Sequence, residues 1–112
     1  MDLERARSLL DAERAQVQQL LADLGTARTD DHEAARDAAY PATPLAQQGV
    51  DDALAARLGD RLAALDRALQ RVEDGSYGRS ILSGALIPDE RLEADPAAEL
   101  TVQEAADGRA AY

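Results

Sequence analysis

Tyr77-Gly-Arg-Ser80-Ile-Leu-Ser83-Gly84, followed after two residues by Ile87-Pro-Asp-Glu-Arg91-Leu-Glu-Ala-Asp-Pro96-Ala-Ala-Glu-Leu-Thr101-Val-Gln-Glu104, is the stretch on which the fold of this chain turns. Ser76, Gly78, Ser83, Gly84 and Pro88 supply turn chemistry around two short aliphatic pieces, Ile81-Leu82 and Ala85-Leu86-Ile87. Pro88 suits the first turn of a short helix running through Glu93, and Thr101 can cap another that runs to Ala106. Residues 76–106 therefore read as a small module of tight turns and short helices, with 107–112 as a frayed tail.

Immediately before this module the periodicity is helical. Leu54, Leu58, Leu62, Leu65, Leu69 and Val72 fall three and four residues apart, and the stripe stops at Glu73-Asp74-Gly75, where glycine suits a left-handed cap. Asp51 or Asp52 can cap its start. A similar stripe opens the chain at Leu3, Ala6, Leu10, Val17, Leu20 and Leu24; Glu13 interrupts it, and Leu9 and Leu21 broaden it. Two stripes of similar length bury their leucines best against each other, which predicts an antiparallel pair. Between them, residues 26–50 begin polar and end with Pro41, Pro44 and Gly49. They read as the turn end of the hairpin, with a short helical extension over Asp31–Ala39 and an irregular return. The predicted fold is mainly α: an antiparallel two-helix coiled-coil hairpin over residues 1–75 with its tip around 26–50, then the small module.

Composition narrows the function. The 112 residues carry 22 acidic against 12 basic side chains, every base being arginine, for a formal charge of −10. Direct nucleic-acid binding needs a cationic surface to displace condensed counterions, and this chain lacks one. There is no cysteine and so no disulfide or thiolate metal site. Met1-Asp2-Leu3-Glu4-Arg5 lacks the pattern of a secretory signal, and no apolar run approaches the roughly 20 residues that span a bilayer, so the expectation is a cytoplasmic protein with no membrane contact.

Tyr77, Gly78, Gly84, Ile87, Pro88, Arg91, Leu92, Glu93, Ala94, Pro96, Ala98 and Leu100 fit, without a gap, the pattern Tyr-Gly-x-Cys-x2-Cys-Gly, Ile-Pro, Arg-Leu-Glu-Ala-x-Pro-x-Ala. On these residues the chain resembles the DksA/TraR family of RNA-polymerase-binding regulators, whose pattern closes with Cys-x2-Cys. The likeness covers about residues 51–106, and reaches the first helix by pattern alone. Ser80, Ser83, Thr101 and Glu104 stand where the four zinc-binding cysteines of the family would be. Hydroxyls and one carboxylate do not make a zinc cage, so no bound zinc or other cofactor is expected. The expected replacement is packing by Tyr77, Ile81, Leu82, Leu86, Ile87, Leu92, Leu100 and Val102 as a miniature core, each buried aliphatic contributing about 1.5–3 kcal/mol. A loosely ordered module is the other possibility.

The resemblance also implies a working end. Family members insert the hairpin tip into the secondary channel of RNA polymerase, bringing acids toward its catalytic Mg²⁺. The tip pattern Asp-x-x-Asp-x-Ala falls, counting back from Ser80, on Asp37 to Ala42, with Asp37 and Ala42 matching and Tyr40 in place of the second acid. The implied polymerase-binding residues are Asp30, Asp31, Glu33, Asp37, Tyr40 and Ala42; a merely solvated acidic turn is the competing reading. Some members respond to guanosine tetraphosphate through basic residues. Ala64 and Ala105 replace the lysines of that site and only Arg57 remains near it, which counts against nucleotide binding in that manner. Arg57, Arg61, Arg67 and Arg71 read instead as partners of Asp60, Asp66 and Glu73 along the helix.

His32 beside Asp30, Asp31 and Glu33 is the one cluster that suggests metal or acid–base chemistry, and a solvated loop accounts for it as well. No nucleophile–base pair or phosphate loop occurs, so no enzymatic activity is expected. The reading is a zinc-free, polymerase-binding transcription regulator, with a helical interaction adaptor that keeps the hairpin fold but not polymerase binding as the alternative.

Overall fold

The computed structural model describes residues 1–38 and 45–110, with side chains described for 1–25 and 49–108. Four helices follow in order: α1 (Leu3–Ala38), α2 (Leu45–Asp74), α3 (Asp89–Ala94) and α4 (Val102–Ala110). A single antiparallel bridge, Arg79 to Leu86, is present among the described residues. No described helix is long and apolar enough to cross a membrane.

The long helices pack as an antiparallel hairpin, and two ion pairs fix their register. Arg7 pairs with Glu73, and Arg14 Nε meets Asp66 Oδ1 at 2.6 Å. Seven residues forward along α1 thus match seven residues back along α2, the step of a heptad seam. Inside this seam Ala6 and Leu10 of α1 and Leu65, Ala68 and Val72 of α2 are buried. The fully buried residue between Leu65 and Val72 is Ala68 rather than Leu69, which stands at the edge of the seam. A small side chain there lets two helices approach closely.

The hairpin's helices are longer than the sequence suggests. α1 runs unbroken through Gly25 to Ala38, so the helical extension expected from Asp31 is continuous with the first helix, and α2 begins immediately after Pro44 where an irregular return was expected. One glycine costs a helix only about 1 kcal/mol, and the Ala-, Arg- and Glu-containing stretch after it has nothing else to stop it. Asp51 and Asp52 consequently lie inside α2 and are not its N-terminal cap.

By chain contacts the molecule divides into two compact units, Met1–Arg14 with Ala64–Tyr112, and Ala15–Ala63. The first holds the ion-paired part of the hairpin together with α3, α4 and the turns between them. Its core adds Tyr77, Ile87, Leu92, Ala97 and Ala98. The second holds the rest of the two long helices, with Val17 buried and a shallow apolar groove lined by Leu20, Leu24, Leu54 and Leu58.

α2 ends as its sequence predicts. Gly75 adopts φ +84°, and the amides of Ser76 and Tyr77 both donate to the carbonyl of Arg71, at 3.0 and 3.1 Å. The Ser76 bond closes a Schellman cap, which needs the left-handed residue that glycine provides at least cost. Arg5 then ties α1 to α3 through two bonds to the Glu93 carboxylate, 2.7 and 2.8 Å.

Candidate functional site

Two chain turns face each other in the C-terminal module. The first, Gly78 to Ile87, is closed by Ile87 N donating to Gly78 O and Ser80 N to Ala85 O, both at 2.8 Å, with a tighter loop from Gly84 N to Ser80 O at 3.0 Å. Gly78 and Gly84 take φ +86° and +75°, so the turn is drawn by its glycines. The Ser80 side chain points inward, 5% exposed, and its hydroxyl accepts from Leu82 N at 3.1 Å and Ser83 N at 3.3 Å.

The second turn opens α4 as a capping box. Thr101 N donates to Glu104 Oε1 at 2.9 Å while Glu104 N donates back to Thr101 Oγ1 at 3.2 Å. Ser80 Oγ then donates to Glu104 Oε2 at 2.9 Å, joining the two turns. The backbone amide of Thr101, with the hydroxyls of Ser80, Ser83 and Thr101, holds the Glu104 carboxyl well below its ordinary range, at about 2. Ser80, Ser83, Thr101 and Glu104 are thus brought together as a hydrogen-bonded clasp with one carboxylate at its centre.

The clasp is anchored behind. Ile81 N donates to Glu99 O at 2.9 Å, while the Glu99 carboxylate receives Arg67 at 2.9 and 3.1 Å and Arg71 at 3.4 Å. Arg67 foremost keeps that carboxyl below its usual range. Arg67 and Arg71 therefore reach across to the C-terminal module, and Asp66 and Glu73 reach across to α1. Tyr77 Oη donates to the buried Pro96 carbonyl at 2.8 Å, and Arg91 Nε to Leu100 O at 2.8 Å.

The predicted aliphatic core is only half realised. Tyr77, Ile87 and Leu92 are buried and Leu100 is partly so, but Ile81, Leu82, Leu86 and Val102 are 56–72% exposed. Pro96, Ala97 and Ala98 are buried in the module instead. Polar bonds centred on Glu104 join the two turns without these four side chains.

Of the predicted tip residues, Asp30, Asp31, Glu33 and Asp37 lie on the last turns of α1, and their side chains, with that of His32, are outside the described ones. Tyr40 and Ala42 lie outside the described residues. Among described residues, no group of three or more His, Asp or Glu is placed to hold a metal ion. Arg57 is exposed on α2. The Arg67–Glu99–Arg71 anchor was not anticipated; the only sign of it in the sequence is a glutamate just before the second turn.

No family model matches the chain. It is 44% identical over 62 residues to RNA polymerase-binding transcription factor DksA of Caulobacter vibrioides (strain NA1000 / CB15N), spanning 52% of this chain and 44% of that protein. It is 50% identical over 46 residues to General stress protein 16O of Bacillus subtilis (strain 168), spanning 41% of this chain and 28% of that protein. The chain thus spans less than half the length of these curated relatives. Its fold matches the solved structure of transcription factor DksA2 from Pseudomonas aeruginosa with a TM-score of 0.76 at 24% identity, over 98% of this chain and 86% of that one.

Proposed function

We propose, from the premise that this chain is a DksA/TraR-family homologue without a single cysteine, that it binds RNA polymerase as a transcription regulator and enters the secondary channel with the acidic end of its hairpin. The observation that carries this reading is the course of α1. The helix continues through Asp30, Asp31, Glu33 and Asp37 and stops at Ala38, with α2 resuming at Leu45, so these acids border the short connection between the long helices. A carboxylate group there is suited to a basic channel wall or a bound Mg²⁺. Tyr40, in place of a second acid, brings no charge at neutral pH, so Asp37 is the acid of the tip pattern that does the work.

In this proposal Ser80, Ser83, Thr101 and Glu104 occupy the family's zinc-ligand positions, and the Glu104 clasp holds the module in zinc's place. The proposal includes no guanosine tetraphosphate, since Ala64 and Ala105 offer no cation.

Binding of the full chain to purified core RNA polymerase, competed by another secondary-channel factor, tests the reading. Wild type is expected to bind and be displaced, and the combined replacement of Asp30, Asp31 and Asp37 by Asn with Glu33 by Gln should weaken binding at least tenfold. Absence of binding at micromolar concentration refutes it and favours the adaptor alternative, and an affinity for polymerase that the fourfold variant leaves unchanged overturns the role of the acidic end.

A further inference from the structure

The leucine seam is closed unevenly. Leu10 and Leu65 are fully enclosed, whereas within the unit Ala15–Ala63 Leu20, Leu54 and Val50 stand 46, 42 and 61% exposed. In that unit an open groove of about 380 Å³ is lined from α1 by Leu20 and Leu24 and from α2 by Leu54 and Leu58, and Asp23 is its one polar lining residue. Two helices alone cannot cover both sides of a leucine stripe, and helical bundles complete such a face with further helices. The charges beside the groove indicate whose helices fit. Asp23 stands on its α1 edge, and Arg57, exposed and three residues from Leu54 on the same face of α2, stands on the other. An acid on one edge and a base on the other make the surface self-complementary: a copy turned about a twofold axis along the groove sets each Asp23 against Arg57 of the other copy, and leucines against leucines.

We propose that this groove is a self-association surface, on which two copies of the chain pack groove to groove as a four-helix bundle. The leucines supply the hold, and the two Asp23–Arg57 contacts supply the register. Net charge does not forbid the pairing. The described residues of this unit hold Asp23, Asp51, Asp52 and Asp60 against Arg57 and Arg61, which is −2 of the chain's −10, so most of the repelling charge lies elsewhere. A basic segment of another protein is the poorer occupant, because it would meet one carboxylate at the groove and be repelled by Arg57. The inference stands independently of the polymerase reading above.

The test is the molar mass of the full chain by sedimentation equilibrium across the micromolar range, with the helix content of each variant checked by circular dichroism. Wild type is expected to pass from monomer to dimer as concentration rises, and Leu20→Ser with Leu54→Ser should weaken the dimer at least tenfold. Asp23→Arg and Arg57→Asp should each weaken it, and the two reversals in one chain should restore it, a rescue that loss of folding cannot mimic. A wild type that stays monomeric at every concentration overturns the inference. So does a dimer whose affinity survives the leucine variant and both single reversals, or one that the combined reversal fails to rescue. A monomeric wild type whose affinity for core polymerase falls in the leucine variant assigns the groove to the polymerase and also overturns it.

Discussion

Ser80 Oγ donates to Glu104 Oε2 across 2.9 Å, although the two residues are 24 apart in the chain. Because Glu104 also answers the Thr101 amide, one carboxylate serves as both helix cap and cross-brace. Replacing it should open the brace without emptying any core.

Glu104→Gln is therefore expected to lower the melting temperature at neutral pH, by a margin that depends on acidity. The carboxyl titrates at about 2 when folded and near 4.3 when unfolded. A depressed folded value means stability that is fully present above the unfolded value and lost as pH falls through the folded one. Melting of wild type and variant by circular dichroism should differ most at pH 6–7, converge below pH 5 and coincide near pH 2. A gap independent of pH would show that the charge does not matter.

Metal should be irrelevant to the natural chain and recoverable by substitution. With no thiolate to bind zinc, a chelator should leave the melting temperature unchanged. Replacing Ser80, Ser83, Thr101 and Glu104 together by cysteine should yield one zinc per chain by metal analysis and a melt raised by the metal. Failure of the fourfold variant to bind zinc would refute the assignment of these positions.

Tyr77→Phe removes a donor to the buried Pro96 carbonyl and leaves that oxygen unsatisfied. The expected cost is about 1–3 kcal/mol in urea unfolding. A neutral result would mean that water replaces the phenol.

Glycines 78 and 59 should respond in opposite directions. Gly78 holds φ +86°, so Gly78→Ala costs about 1–2 kcal/mol. Gly59 lies inside α2 with open space where a methyl would go, so Gly59→Ala gains about 0.5–1 kcal/mol.

Burial separates two leucines of equal sequence appeal. Leu65→Ala, at a fully buried seam position, should cost about 2–5 kcal/mol. Leu86→Ala, 69% exposed, should change stability by no more than about 0.5 kcal/mol.

What the sequence made legible was what depends on spacing. The leucine stripes gave the paired helices, Gly75 gave the end of α2, and Pro88 and Thr101 gave the starts of the two short helices, with Pro88 at the N-cap of α3. Three boundaries fell short for one reason: α1 passes Gly25, α2 starts at Leu45 ahead of Asp51, and α4 passes Ala106 to reach Ala110, because weak local signals do not set the end of a helix whose neighbours favour it. The clasp was illegible because Ser80 and Glu104 are remote in sequence, and hydrogen-bond geometry leaves no periodic trace. The exposure of Ile81, Leu82, Leu86 and Val102 was hidden likewise: hydrophobicity marks a residue as suitable for a core, while the number of such places is set by backbone turns that Pro96, Ala97 and Ala98 already fill.

The paired charges Arg7 with Glu73 and Arg14 with Asp66 constrain how the gene can change length. Losing one codon from either helix turns everything beyond it by about 100° and sets every later arginine opposite the wrong residue. Tolerated insertions and deletions should then come as matched blocks of seven codons, one in each helix, or fall in the connection where the chain reverses.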